Sequence, residues 1–443
     1  MTVFKSIAGE ELSSQISRVW RLSVPAILTQ ITTIIMQYLD SAMVGALGAN
    51  ASAAIGLVAS STWMVGGVGG AVAAGFAVQV SHHIGAGDTY KARRVLRHGL
   101  FGAFAVALLL CILGAAASGV LPRWLGADEV LWRDASAYFL VFSLSLPFHE
   151  LGRMAASFLQ SAGNMVVPSV LNSLMCLLDV VFNAVFIPRF GVLGAALGTA
   201  LASLCISVIM LWYCCVKYEP LRINRREACP FERAILSRAL RIGLPVGAEQ
   251  VAISGAMVVS TGIIAPLGPV DIAANSFAIT AEGLCYMPGF GMAAAAATLV
   301  GQSIGAGDKR LARRYGAIST AFGTLLMTFG AVLMFIVCPL VFRLMTPVPE
   351  VRETAAAILR IGLLAEPMYG LSLVASGALR GAEDTLVPSV LNLFSIWVVR
   401  LGLALLLVGE LGIRGMWIAM AVELCFRGLL MLWRLCSSKY LKS

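Results

Sequence analysis

The sequence predicts an all-α integral membrane protein, with twelve transmembrane helices in two parallel six-helix lobes related by an internal pseudo-two-fold axis. Three observations predict it. Of 443 residues, 59% are apolar and 12% charged, at a mean hydropathy of +0.88, whereas a soluble domain carries roughly a quarter of its residues as Asp, Glu, Lys or Arg. Apolar stretches of about 20 residues, the length that crosses a bilayer, recur along the whole chain. Finally, IGAGDTYKARR at 84–94 returns as IGAGDKRLARR at 304–314, an offset of 220 residues.

The spans fall at 22–46, 53–80, 99–121, 136–159, 166–188, 192–215, 242–265, 272–300, 317–342, 355–378, 387–409 and 412–434. None shows the period-2 alternation of a barrel, and backbone groups in hydrocarbon need partners within their own segment, so the spans are helices. The opening MTVFKSIAGEELSSQISRVWRL has no apolar core ending at a small-residue cleavage site, which makes the first apolar run a retained span. Ten cysteines are present, but Cys111, Cys176, Cys205, Cys285, Cys338 and Cys425 lie inside apolar runs and no pair has CxxC spacing. They read as buried thiols, with neither a metal nor a cofactor implied.

The net charge of +9 is distributed by topology. Lys5, Arg18, Arg21, Lys91, Arg93, Arg94, Arg97, Lys217, Arg222, Arg225, Arg226, Arg233, Arg238, Arg241, Lys309, Arg310, Arg313, Arg314, Lys439 and Lys442 flank alternate loops. Basic residues collect on the cytoplasmic side, so both termini are expected there, in a cytoplasmic (inner) membrane, and no nucleic-acid partner is needed to explain the charge.

The 220-residue offset holds beyond the glycine loops: Pro25 matches Pro245, Gln30 matches Gln250, Gly48 matches Gly268, Pro147 matches Pro367, and PSVLN at 168–172 matches 388–392. This is a duplication. Six spans per copy is an even number, so the copies enter from the same side as parallel repeats. The expected organisation is an N-lobe at 1–215, a cytoplasmic linker loop at 216–241 and a C-lobe at 242–443. The IGAGD loops lack the Lys-Ser/Thr of a phosphate-binding loop and read as tight turns, with Asp88 and Asp308 capping the next helix. The runs GGVGGAVAAG at 66–75 and GMAAAAAT at 291–298 suit close helix approach.

Acids inside spans cost several kcal/mol and are functional candidates by default. Asp40 is the only charged residue between Leu22 and Leu47. Asp179 and Asn183, four apart on span 5, share one helical face, and their oxygens suit either a proton relay or a hard cation. Should Asp40 and Asp179 meet, the pair would hold one proton between them. Tyr138 on span 4 and Thr199 on span 6 offer hydroxyls to the same network. Glu423 and Arg427, and Glu150 and Arg153, are neutralising pairs on their own helices; Arg400 has no local partner. His82, His83 and His98 show no ligand pattern, and His149 neighbours Pro147.

Twelve spans in two parallel sixes, a proline near the start of spans 1 and 7, IGAGD after spans 2 and 8 and small-residue runs together resemble the multidrug and toxic compound extrusion (MATE) family. QYLDSAMVG and EGLCYMPGFGMAAAAATLVGQSIGAGD are most similar to the branch of the DNA-damage-inducible protein F. The resemblance implies a secondary antiporter, not an enzyme, exporting cationic or amphipathic organic molecules by alternating access in exchange for protons or sodium ions. It implies that Asp40 is central to coupling, and that Asp179, Asn183, Tyr138 and Thr199 map onto the N-lobe cation site of archaeal members, with sodium a candidate at Asp40, Asp179, Asn183 and Thr199. The order here is Asp then Asn, whereas the family pattern is Asn then Asp.

At the constant offset, Asp40, Asp179 and Asn183 correspond to Ser260, Val399 and Leu403. The coupling acids that the norfloxacin-extrusion and eukaryotic branches place in the C-lobe fall on Ile253 and Leu373. Glu249, Glu282 and Glu366 are the intramembrane acids left in that lobe, as candidates for binding or gating or for hydrogen bonds at helix breaks near Pro245 and Pro367. Gln30, Met36, Tyr38, Met287 and Tyr369 are candidates for lining a substrate cavity. A monomer is favoured, since the duplication supplies both halves. The alternatives are a lipid-linked oligosaccharide flippase of the same superfamily, which would want a cationic cavity, and a membrane-embedded enzyme, for which no clustered ligand motif is present.

Overall fold

Helix ends in the computed structural model are set by glycine turns and aspartate caps that recur at the repeat offset. The structure describes residues 12–126, 128–224, 227 and 230–437; Lys5, Arg225, Arg226, Lys439 and Lys442, part of the charge pattern used for orientation, lie outside them. The long helices are α1 (Leu12–Gly45), α2 (Ala49–Gly85), α3 (Thr89–Ala117), α4 (Glu129–Ser161), α5 (Val166–Phe190), α6 (Val192–Trp212), α7 (Arg233–Ile264), α8 (Pro269–Gly305), α9 (Lys309–Met345), α10 (Pro349–Gly381), α11 (Leu386–Leu411) and α12 (Ile413–Cys436). Eleven are long and apolar enough to cross a membrane. The exception is α4, whose middle carries Ser143, Ser145, His149, Glu150 and Arg153. No strand occurs among the described residues, and the chain is an all-α, multi-pass membrane protein.

Helices run several residues past the apolar spans, as where α3 begins at Thr89 and α9 at Lys309. Hydropathy marks only the part in hydrocarbon, whereas the helix itself ends where its cap is. Gly87 and Gly307 turn the chain at φ 74° and 80°, a conformation that penalises any Cβ. Asp88 then accepts from Lys91 N at 3.0 Å and Asp308 from Leu311 N at 2.8 Å, each satisfying a free first-turn donor.

The copies keep their register until α11. There, Ser395–Arg400 forms a π-helical segment, the wide turn by which a helix absorbs one inserted residue. The closing glycines, Gly191 at φ 59° and Gly412 at φ 58°, accordingly stand one residue beyond the constant offset. Beyond the insertion Asp179 is matched by Arg400 and Asn183 by Ala404, which corrects the correspondence to Val399 and Leu403.

Contacts divide the chain into two units whose boundaries lie within α1 and α7, not at the ends of the loop 216–241. One runs Ile31–Gly247; the other takes the described residues up to Gln30 together with those from Ala248 onward. The cause is close backbone approach at the small-residue runs. In the first unit Gly75 abuts the backbone of Ala239, and a Cβ at Gly243 would stand 2.9 Å from the Ala71 carbonyl oxygen. The described residues of the segment 216–241, in which α7 already begins at Arg233, are docked in this unit too. Arg93 donates to both carboxylate oxygens of Glu227 through one guanidinium edge, Nε at 3.0 Å and Nη2 at 2.6 Å, keeping that carboxyl below the usual carboxylate range. Arg94 pairs with Glu232, and Gln79 Nε2 donates to Ile235 O at 3.1 Å. In the second unit Val19 is buried among Met292, Val300, Tyr315, Val374 and Met431, and Gly291 abuts the Ala26–Ile27 backbone. At the centre of the first unit α4 packs on α2, α3 and α6; in the second, α10 packs on α8, α9 and α12.

Candidate functional site

Asp179 and Asn183 project from the same face of α5, and both are fully buried. The Asn183 amide lies between two acids: its Nδ2 donates to Asp40 Oδ1 at 2.9 Å and to Asp179 Oδ2 at 3.2 Å. An amide nitrogen carries two hydrogens, so one side chain serves both carboxyls. The Asn183 amide thereby brings the Asp40 and Asp179 carboxyls to one donor. Asp179 Oδ1 and Asn183 Oδ1 are buried with no hydrogen-bond partner among the described residues. The site thus joins two acids, one amide donor and two acceptor oxygens that can take a donor or a cation.

Tyr138 and Thr199 stand beside this pair rather than within it. Tyr138 packs on Val44, Ile187 and Val192 and feels the charge of both acids without a hydrogen bond to either. Together with Thr199, Ser145, His149 and Ser203 it lines a cavity of about 70 Å³ between α4 and α6. His149 Nδ1 lies 3.0 Å from Ser203 Oγ, so its ring is tied to the cavity wall.

A family model described as MatE matches residues 25–185 and again 245–406. The chain belongs to the MatE family. The second match is one residue longer than the first, in agreement with the insertion in α11. "Probable multidrug resistance protein NorM" of Thermotoga maritima is 27% identical over 100% of this chain and 97% of its own length. The NorM protein of Pseudomonas aeruginosa is 31% identical over 92% of this chain and 86% of its own. Among solved structures, an outward-facing multidrug resistance MATE family transporter has a TM-score of 0.92 at 22% identity, covering 99% of both chains. A MOP superfamily transporter from Pyrococcus furiosus has a TM-score of 0.92 at 21% identity, covering 100% of this chain and 99% of its own.

In this MatE chain one site residue was not singled out from the sequence. Gly198 on α6 closes over Asn183, and a Cβ there would land on the Asn183 amide oxygen and 3.1 Å from its backbone nitrogen. The other copy shows the converse: Ala404 and Ala419, matching Asn183 and Gly198, are both fully buried in one apolar cluster. Gly198→Ala is expected to displace the Asn183 amide from the acid pair. It should cost about 1–3 kcal/mol, the usual range for overpacking, and depress transport more than it lowers the unfolding midpoint, as read by efflux and thermal unfolding of the same preparation.

The other sequence candidates are not gathered at this site. Glu249 accepts from Ser389 Oγ and Asn392 Nδ2, both at 2.6 Å, clamping α7 to α11. In the first copy Asn172 Nδ2 meets Thr33 Oγ1 at 3.1 Å, so the repeated PSVLN motif does the same work on α1. Glu282 and Glu366 are buried around α10, where Tyr369 stacks edgewise on Tyr286 at 5.6 Å. Met36 precedes Asp40 by one turn on the same face of α1. Tyr38 is 39% exposed, and Gln30 and Met287 are half-buried. Gln30, ten residues before Asp40, is about 15 Å away along the helix.

Proposed function

We propose that this chain is a proton-coupled antiporter of the cytoplasmic membrane that exports cationic or amphipathic organic compounds by alternating access, without chemically altering them, as a monomer with both termini cytoplasmic. The observation that carries the reading is the Asn183 amide nitrogen between Asp40 and Asp179. A sodium ion would need oxygens turned towards the gap between the acids, whereas the Asn183 amide nitrogen fills it, an arrangement that suits a pair holding one proton between them. Loss of that proton leaves a second negative charge in low dielectric, which favours uptake of an organic cation; its return neutralises the pair and expels the cation. The names of the NorM relatives support multidrug cargo.

Purified protein in proteoliposomes, loaded with a fluorescent cation, tests the coupling. A pH gradient alone is expected to drive efflux, and a sodium gradient at matched pH is not. Efflux that follows only the sodium gradient overturns proton coupling.

A further inference from the structure

A second charged cluster lies wholly within the unit from Ala248 onward. Glu423 on α12 is fully buried. It accepts from Ser395 Oγ at 2.7 Å and from Arg400 Nε and Nη2 at 3.1 and 2.6 Å, while Arg427 Nε stands 3.0 Å from its other oxygen. One carboxylate between two guanidiniums leaves a net charge of +1. Arg427 also lies over the Tyr369 ring at 5.3 Å. Glu282 on α8 is 6% exposed. Glu366 on α10 is 0% exposed, and neither of its carboxyl oxygens has a hydrogen-bond partner among the described residues.

The charge balance of this cluster fixes its protonation. The two acids converge on α10: a Cβ at Gly362, one turn before Glu366, would stand 3.2 Å from Glu282 Oε1 and against the Trp417 ring of α12. Nearby, among the described residues, α8 adds the Cys285 thiol, α10 adds Tyr369, and α9 adds the Gly330 carbonyl beside Cys285 and the Met327 thioether near Gly370. Three carboxyls thus face two guanidiniums. With all three ionised the cluster carries an uncompensated buried charge, which is strongly disfavoured; with one proton on the Glu282–Glu366 pair it is neutral. Because Glu423 is committed to both arginines, the proton belongs to the pair. Arg400, the fixed countercharge, occupies the position that Asp179 holds in the other copy.

We infer that Glu282 and Glu366 form a second proton-exchange site, counterbalanced by the Arg400–Glu423–Arg427 triad, which holds one proton at rest and releases it when an organic cation is taken up. The transport cycle then exchanges two protons, one from each acid pair. The site follows from the cluster itself; the count of two rests on the antiport reading above.

Infrared difference spectroscopy of the membrane-reconstituted protein between acidic and alkaline medium, in water and deuterium oxide, reads protonated buried carboxyls without requiring transport. The native chain is expected to show two such groups. Glu366→Gln removes one, and so does Glu282→Gln, because the carboxyl left behind is balanced by the triad and ionises. Either variant retaining the native signal overturns the inference, so if one fails to fold the other decides. Reversal potentials with tetraphenylphosphonium as cargo give the second readout, in which the proton-to-cation ratio halves in Glu366→Gln. An unchanged ratio also overturns it. Asp40→Asn, run alongside, should remove the other protonated group. Its failure to do so would count against the Asp40 reading alone and leave the Glu282–Glu366 assignment standing.

Discussion

Asp40→Asn is expected to reduce pH-driven efflux of a fluorescent cation to the level of empty liposomes, with little change in thermal unfolding. The substitution preserves size and shape but leaves an amide where a proton was shared, so Asp179 has no second acid with which to exchange it. The Asn183 bridge, at 2.9 Å to Asp40 and 3.2 Å to Asp179, loses one charged acceptor and keeps the other. Asp40 is only partly buried, and the amide that replaces it can still hydrogen-bond, which is why stability should hold. Asp179→Asn should behave alike, and efflux that survives in either variant would place coupling outside the pair.

Glu423→Gln is expected to have the largest effect on stability. It leaves Arg400 and Arg427, whose side chains are 20% and 9% exposed, without the carboxylate that both of them contact. Removing one partner of a buried ion pair typically costs about 3–5 kcal/mol. The unfolding midpoint in detergent should fall by several degrees. Replacing all three members by apolar residues of similar volume should recover much of the loss, since burying the triad is itself expensive. A midpoint for Glu423→Gln equal to that of the native chain would show that the triad is not what holds α11 to α12.

The duplication let the sequence specify most of the fold. α2 and α8 begin and end at equivalent residues because the same glycine turns, at Gly48 and Gly268 and at Gly87 and Gly307, close both copies; α4 and α10 also match, although the left-handed residue after α4 is Gly163 and after α10 is Glu383. The acid pair was legible for a local reason: Asp179 and Asn183 are one turn apart, and Asp40 stands alone in an apolar run. What remained hidden is long-range. Glu423 was paired with Arg427 from spacing on one helix, but its role as the partner of Arg400 depends on α11 facing α12. The insertion in α11 left no trace in hydropathy, because an average over a whole span does not register a one-residue change in helical phase. Gly198 looked like one of many small residues, and only the position of Asn183 makes it essential. The loop 216–241 read as a tether, since charge counting assigns a side of the membrane and cannot foresee that Arg93 grips Glu227.

The wide turn at Ser395–Arg400 also orders events in the history of the chain. Every repeat marker before it, from Pro245 to PSVLN at 388–392, keeps one spacing, and every marker after it keeps another. The extra residue was therefore gained after the gene had doubled, or lost from the first copy at the matching point. Either event turned one stretch of an ancestral helix by about 100°, the rotation per residue. Once the two copies no longer offered the same face to their neighbours, an acid could persist at that place in one and a base in the other.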